Sequence, residues 1–510
     1  MSRLNIGIHR DVLIRGLRRL RAPLVAALVA APLSAAAQPR PPAKGAPPPP
    51  PAEMPNAPHV DETLITTTPN GLTSEQAAKR AMSTSVITKS AEATAAGADV
   101  RANVTSLAYI PDLTLLASYT RLSTVTPPIV GGGATRSVIT TDPAGTANPA
   151  TVAAQPTQFP VFFDLYLLQA SLRVPISDYL LKINHVHTAA TQSAEAARFD
   201  VIAARAVASA SAKQAYFEWL RARGAIAVAE RTLATAQAHA ADSKTKFAAG
   251  AVAGADVLRA EAAVASAELL VERATNAATT FEWSLRTLIH AEAEEALAPG
   301  ESLEGNLPPL NEELRALLAE ANTTRAEIKS IERSAAAAHR RASAARAGRW
   351  PTLTGVADLV YANPNSRKFP TTNDFFPSWA VGAQLTWSPK SFVAGGADAD
   401  IEESQASSLE AQRAATRDSV TREVVTAYTA VRTADAAIGT TTRQLDSERE
   451  AYRVSTTLYT AGRTTGSALL DAQNALAQAR FDNLNARTDA RVARVQLEHA
   501  VGRDTRGMVP

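Results

Sequence analysis

The sequence predicts an α+β membrane protein. Four strands per chain contribute to a trimeric 12-stranded β-barrel, which a long α-helical barrel continues into the periplasm. Three observations predict it: four segments of about ten residues that alternate in period two, helical stretches longer than a globular fold uses, and an internal repeat that duplicates both.

The N-terminus comes first in the chain and reads as a secretory signal peptide over residues 1–37. Arg3, Arg10, Arg15, Arg18, Arg19 and Arg21 form a basic n-region, Leu24 to Leu33 a short apolar core, and Ala35-Ala36-Ala37 before Gln38 a small-residue cleavage site. The apolar run is too short to span a bilayer as a helix. Removing its six Arg and one Asp takes the formal net charge from +3 to −2. The sequence pI of about 9.1 is thus a targeting feature and argues for no nucleic-acid partner. With no Cys in the chain, disulfides, thiol catalysis, thiolate metal sites and acyl anchoring through Cys are excluded. Aromatics make up 5% of residues and Ala fills much of the apolar quota, which favours close helix packing.

Residues 38–71 are a linker whose Pro-rich start (38–58) is extended. Repeat 1 follows over 72–306, with a helix, strands at 109–122 and 162–176, and a helical hairpin with its tip at 247–258. Repeat 2, over 307–505, has strands at 350–361 and 379–388 and a tip at 459–471. In the last strand Trp379, Val381, Ala383, Leu385 and Trp387 oppose Ala380, Gly382, Gln384, Thr386 and Ser388. In the second, Tyr166, Leu168, Ala170, Leu172 and Val174 oppose Leu167, Gln169, Ser171 and Arg173. In the first, Leu113, Leu115, Ala117 and Tyr119 oppose Asp112, Thr114, Ser118 and Thr120. Apolar-out, polar-in alternation with aromatics near the strand ends is what a transmembrane barrel requires. Trp379 and Trp387, with Tyr119, are the expected membrane-interface girdle; at about 3.4 Å per residue the two Trp lie roughly 27 Å apart. Residues 123–161 and 362–378 read as extracellular loops.

From about Asp178 to Phe247 there is no Pro and one Gly, Gly224, so a helix there is a rod of about 100 Å. Val420, Val424, Ala427, Val431, Ala434 and Ile438 form a heptad seam of small residues. The repeat is gapless at an offset of 212 residues: Ala215-Tyr216 meets Ala427-Tyr428, Ala225-Ile226 meets Ala437-Ile438, Phe247 meets Tyr459, Ala249-Gly250 meets Ala461-Gly462, Gly254 meets Gly466 and Leu258 meets Leu470. Pro111, Leu113 and Thr114 likewise correspond to Pro351, Leu353 and Thr354. Each copy reverses its hairpin at a Gly-containing turn, 250–254 or 462–466, where Gly permits left-handed backbone.

Four strands cannot close a membrane barrel, and an open edge in lipid leaves backbone groups unpaired. The chain must therefore oligomerise, and three copies supply 12 strands. A barrel joined to a helical tube is a conduit.

At this point the residues resemble the TolC family over nearly the whole mature chain. The resemblance is carried by Leu72-Thr73-Ser74-Glu75-Gln76-Ala77, Tyr109-Ile110-Pro111-Asp112-Leu113, Trp350-Pro351-Thr352-Leu353 and Phe392-Val393-Ala394-Gly395-Gly396. It continues through Phe247-Ala248-Ala249-Gly250, Tyr459-Thr460-Ala461-Gly462-Arg463 and Leu469-Leu470-Asp471-Ala472-Gln473. The resemblance implies a homotrimer in the cell outer membrane with a periplasmic helical domain, docked to a periplasmic adaptor (membrane fusion) protein and an inner-membrane RND or ABC pump. It implies a passive exit duct of tripartite efflux, with type I protein secretion as the alternative. By position, Phe247, Gly250, Gly254, Asp256, Tyr459, Gly462, Arg463, Gly466 and Asp471 are implied as the periplasmic aperture and adaptor contact. Asp471 matches an acidic aperture position, whereas Ala468 stands where a second Asp is often found. Each Asp has a plainer reading as a helix-start charge favourable to the dipole.

No catalytic, cofactor or metal site is expected. His185 and His187 are two candidate metal ligands without a third nearby, and no phosphate loop, nucleophile elbow or HExxH occurs. A periplasmic coiled-coil adaptor is the rival class, but such a rod has no use for two copies of a paired amphipathic strand.

Overall fold

A computed structural model describes residues 65, 67–125, 129–130, 135–141, 143–153, 157–158 and 161–504. The expected signal peptide and most of the Pro-rich linker lie outside the described residues.

Repeat 1 opens with α1 (Ser74–Thr84), where Thr73 and Gln76 form a capping box, and α2 (Val86–Ser106). Strand β1 (Asp112–Arg121) starts just after Pro111. After β6 (Asp164–Val174) come a short α3 (Ile176–Leu181), the 66-residue α4 (Ile183–Ala248) and α5 (Gly254–Ile289). Repeat 2 repeats the plan: α6 (Leu314–Thr324), α7 (Ala326–Ala347), β7 (Thr352–Asn363), β8 (Phe376–Thr386), the 72-residue α8 (Pro389–Thr460) and α9 (Gly466–Val501). At about 1.5 Å per residue α4 and α8 are each roughly 100 Å long. Pro389 opens α8, where its missing N–H costs nothing, and Ser388 caps it. Among the described residues no helix is long and apolar enough to cross a membrane.

Three expectations are corrected. The rod from Asp178 is two helices, because Lys182 leaves helical geometry (φ −122°, ψ −50°). Strand β8 spans Phe376–Thr386, so Trp387 lies just past its end. The expected loop 123–161 contains two antiparallel pairings, β2 (Ile129–Val130) with β5 (Thr157–Gln158) and β3 (Thr135–Thr141) with β4 (Ala147–Ala153). The β-branched run at 135–141 favours strand there.

β1, β6, β7 and β8 form one antiparallel sheet in that order. Its middle seam, β6 to β7, joins the two repeats. Among the described residues the helices bury two large clusters and a small one of Ala95, Ala197 and Val201 between α2 and α4. One large cluster gathers Tyr216, Trp219 and Leu220 of α4, Leu285 and Ile289 of α5, Leu303, and Leu484 of α9, covered by Ala77 and Ala81 of α1. The other gathers Leu317 of α6, Ile328 of α7, Val420, Val424 and Val431 of α8, and Leu497 and Val501 of α9. Within the heptad seam Val420, Val424, Ala427, Val431 and Ala434 are buried. Helices α4 and α9 approach so closely at Gly224 that a Cβ there would lie 2.8 Å from a Leu484 methyl. Small residues thus bring the long helices together, as the Ala-rich composition requires.

Candidate functional site

The sheet has two unlike faces, and its register defines them, because directly opposed residues share a face. One face aligns Leu113 with Leu172, Leu115 with Ala170, Ala117 with Leu168 and Tyr119 with Tyr166. It continues through Leu172–Ala357, Ala170–Leu359 and Leu168–Tyr361 to Ala357–Val381, Leu359–Trp379 and Leu353–Leu385. This face is apolar and bare in the single chain: Leu115 is 75%, Val381 73% and Trp379 72% exposed. The other face carries Thr114, Ser118, Gln169, Ser171, Asp358 and Gln384. There Ser171 Oγ donates to Asp358 Oδ1 at 2.6 Å and Gln169 Nε2 donates to the same oxygen at 3.2 Å. A sheet apolar on one side and hydrogen-bonded among its own polar groups on the other suits lipid outside and water inside.

The aromatics mark both ends of the apolar band. At one end Tyr119 packs on Tyr166 at 5.0 Å, Tyr166 on Phe375 at 5.9 Å and Phe375 on Tyr361 at 5.1 Å. Tyr119 donates its hydroxyl to Asp164 at 2.8 Å and Arg121 pairs with the same carboxylate at 2.7 Å. Trp379, aligned with Leu359, Ala170 and Leu115, sits two rows inside the Tyr119–Tyr166 row. At the other end Trp350 and Trp387 are exposed, and the Trp387 indole donates to the Arg349 carbonyl at 3.3 Å. Of the girdle expected from sequence, Tyr119 therefore lies at one end and Trp387 at the other, with Trp379 inside the band on the Tyr119 side. Tyr166, Tyr361, Phe375 and Trp350 were missed. Their signal was legible: in antiparallel strands, aromatics at alternating ends fall on one rim.

The far ends of the hairpins are built by matching turns. Helix α4 ends at Ala248, and Gly250 takes φ +72° while its N–H donates to the Phe247 carbonyl and that of Ala251 to Lys246. Helix α8 ends at Thr460, and Gly462 takes φ +69° with the Arg463 N–H donating to the Leu458 carbonyl at 2.8 Å. These are helix C-terminal turns that L side chains resist. Gly250 and Gly462 thus supply the left-handed residue expected of each turn, and Gly254 and Gly466 are not left-handed. They are the first residues of α5 and α9, where a Cβ would meet the Phe247 or Tyr459 ring at ordinary contact distance, 3.5 and 3.7 Å.

The two tips differ in one respect that sequence did not disclose. Phe247 is 52% exposed, whereas its repeat mate Tyr459 is 5% exposed. The Tyr459 ring is turned against α4: His239 meets it edge-on at 5.2 Å, the Lys246 ammonium lies 3.8 Å over its face, and Ser243 Oγ is 3.3 Å from its hydroxyl. Tyr459 thus ties the second hairpin to the first. Burial pushes the His239 imidazole below its ordinary pKa; Lys246 adds to this, while Asp242 and Asp256 oppose it. Asp256 lies in the first turn of α5, pairs with Arg259 at 3.1 Å and sits beside Gly466, so the two hairpin starts adjoin. Asp471 is exposed, on the second turn of α9, past the first turn where a helix dipole acts. The helix-start reading therefore holds for Asp256 and fails for Asp471. Arg463 is exposed at the turn.

Residues 317–503 match the family model described as outer membrane efflux protein. No curated protein sequence matches the chain. Among solved structures, a membrane protein from Pseudomonas aeruginosa is 19% identical with a TM-score of 0.67, over 84% of this chain and 90% of that one. CusC is 16% identical with a TM-score of 0.68, over 86% and 96%. The outer membrane protein VceC from Vibrio cholerae is 21% identical with a TM-score of 0.65, over 84% and 96%. The fold is that of the TolC-like outer membrane efflux proteins. VceC is described as an outer membrane protein.

Of the candidate pair His185 and His187, the second has a packing role. His187 Nδ1 is bonded to Thr105 Oγ1 at 2.9 Å and Tyr109 packs edge-on at 6.2 Å, so this ring fastens α4 to α2. Among the described residues no group of three or more His, Asp and Glu is placed to hold a metal.

Proposed function

We propose that three copies of this chain close a 12-stranded barrel in the outer membrane and that the assembly is the passive exit duct of a tripartite efflux system. One observation carries the reading. A four-stranded sheet with an apolar outer face and two unpaired edges, β1 and β8, is joined to helices of roughly 100 Å. In lipid those edges must be paired, and three copies bring the strand number within the range of closed barrels. CusC, which shares the fold, is described by its transmembrane channel formation.

The helices carry the duct toward an inner-membrane pump, of RND or ABC type, with a periplasmic adaptor at the tips. Phe247 and Arg463 are the tip side chains exposed for that adaptor. Tyr459 faces into the hairpins and acts by holding them together, so it is withdrawn from the adaptor contact. Asp471, exposed on α9, is the acidic group for the aperture, with Ala468 contributing no second carboxylate.

Deleting the coding sequence while leaving the pump intact tests the role. Expected is raised accumulation of a fluorescent efflux dye, restored by complementation. Unchanged dye efflux with a secreted protein retained in the cell would assign the duct to protein export instead.

A further inference from the structure

The internal repeat goes further than the fold, because it dictates how one copy meets the next. Two offsets relate the repeats in space. Adding 240 to a β1 residue and 213 to a β6 residue turns the pair Leu113–Leu172 into Leu353–Leu385, and Asp112–Arg173 into Thr352–Thr386; both image pairs are registered in β7–β8. The helices obey the same rule with 240 and 212. The Asp99–Arg198 bond between α2 and α4, at 2.9 Å, becomes the Glu410–His339 contact between α8 and α7, at 3.2 Å, with the carboxylate on the opposite partner. The repeat thus extends to some side-chain partners, though Glu332, the mate of Glu92, pairs with Arg413 and not with Arg417, the mate of Arg205.

One interface has no image within a chain. The inter-repeat seam pairs β6 with β7 and packs α4 against α7, the latter marked by Arg333–Glu195 at 3.1 Å and Lys329 over Phe199. Its image would join β8 and α8 to a β1 and α2 that lie at the far edge. The side chains there are unlike their repeat mates in a telling way. Ala189, Ala326 and Ala344, on the α4–α7 line, are buried. Their counterparts Ile401, Val86 and Val104 are apolar and 65%, 68% and 57% exposed. Large apolar groups stand bare where the repeat says a helix should cover them.

We propose that adjacent copies join head to tail through a seam that reproduces β6–β7 residue for residue, with β8 of one copy antiparallel to β1 of the next. Transferring the register places Trp387 opposite Leu115, Leu385 opposite Ala117 and Ala383 opposite Tyr119, the images of Val174–Gly355, Leu172–Ala357 and Ala170–Leu359. On the polar side Gln384 meets Ser118, the image of Ser171–Asp358. The transferred register passes a check it could have failed: a slip of one residue would set the apolar face of β8 against the polar face of β1. Here the apolar face meets the apolar face, and on the other face Gln384 meets Ser118 while Leu116 meets Thr386, the image of Val356–Arg173. The same step lays the Ile401 side of α8 along the Val86–Val104 side of the neighbour's α2. This register rests on the trimeric reading above; it adds which residues touch.

The chain's lack of Cys makes the seam directly measurable. Opposed residues in an antiparallel pair have Cα atoms about 4.5–5.5 Å apart, within the ~4.4–6.8 Å a disulfide spans, whereas a partner two residues along is about 7–8 Å away. Ala117→Cys with Leu385→Cys, and Tyr119→Cys with Ala383→Cys, are the matched pairs. Leu115→Cys with Leu385→Cys and Tyr119→Cys with Leu385→Cys are shifted by two. Each double variant is oxidised with copper–phenanthroline in outer membranes and run on a non-reducing gel. Native mass spectrometry of the reduced, detergent-extracted variant establishes assembly, and only assembled variants are scored. Expected is a covalent trimer from both matched pairs, several-fold above either shifted pair. An assembled trimer that links better through a shifted pair, or through none, overturns the register. A Cys-free parent that runs as a monomer overturns the trimeric reading instead.

Discussion

Truncating Tyr459 tests the tie between the two hairpins. The ring is nearly fully buried and touches His239, Ser243 and Lys246 of α4. Removing a buried aromatic to Ala costs about 3–5 kcal/mol, part transfer and part cavity. Because the contacts are local to the tip, the loss falls on the equilibrium between hairpins packed and hairpins parted rather than on the whole fold. At about 1.4 kcal/mol per tenfold, Tyr459→Ala raises the parted population by roughly two to three and a half orders of magnitude. Phe247→Ala, at the repeat-equivalent but exposed position, should stay within about 0.5 kcal/mol. Hydrogen exchange on tip peptides spanning 236–250 and 455–470 reads both. Expected is a large acceleration for Tyr459→Ala alone. Equal effects at the two positions would refute the assigned burial difference, and no effect at Tyr459 would refute the tie.

His239 is held below its ordinary pKa of 6.5 by burial, so its contribution to tip packing is complete above that value and is lost as pH falls below it; tip exchange should quicken between pH 7.5 and 5, and His239→Phe should abolish the dependence. Gly462→Ala forces a side chain into φ +69° and should cost about 1–2 kcal/mol, whereas Gly439→Ala, in mid-α8 with open space around the added Cβ, should stabilise by about 0.5–1 kcal/mol; denaturant midpoints must move in opposite directions. Asp471→Ala should weaken cation preference in planar-bilayer conductance, and unchanged selectivity would remove Asp471 from the aperture. Val381→Arg on the apolar face should cost about 2–4 kcal/mol at mid-bilayer, measured as loss of folded protein on heat-modifiability gels, while Gln384→Arg on the polar face should be tolerated.

The barrel strands and the hairpin turns were legible because their signals are local: period-two alternation at Leu113–Tyr119 and Tyr166–Val174, and a Gly at each reversal. The seam Val420–Ala434 was legible because a heptad needs only its own helix to be seen. What sequence withheld depends on neighbours distant in the chain. Phe247 and Tyr459 are repeat mates of similar size, and only the packing of α4 beneath α8 decides which is buried. The break at Lys182 carries no Pro or Gly to announce it. The pairings within 129–158 lie in a Thr-, Gly- and Pro-rich stretch with no clean alternation, so no face marks them as strands. Trp387 alternated in phase with β8 yet fell past its end, because alternation does not stop where hydrogen bonding does.

As proposed, this chain is one third of an outer-membrane duct. The most direct measurement is single-channel recording on detergent-extracted outer-membrane protein whose copy number is established by native mass spectrometry. Three copies that conduct ions across a planar bilayer are the expected result. A mature chain recovered from the soluble periplasm as a monomer, with no conductance, would contradict it.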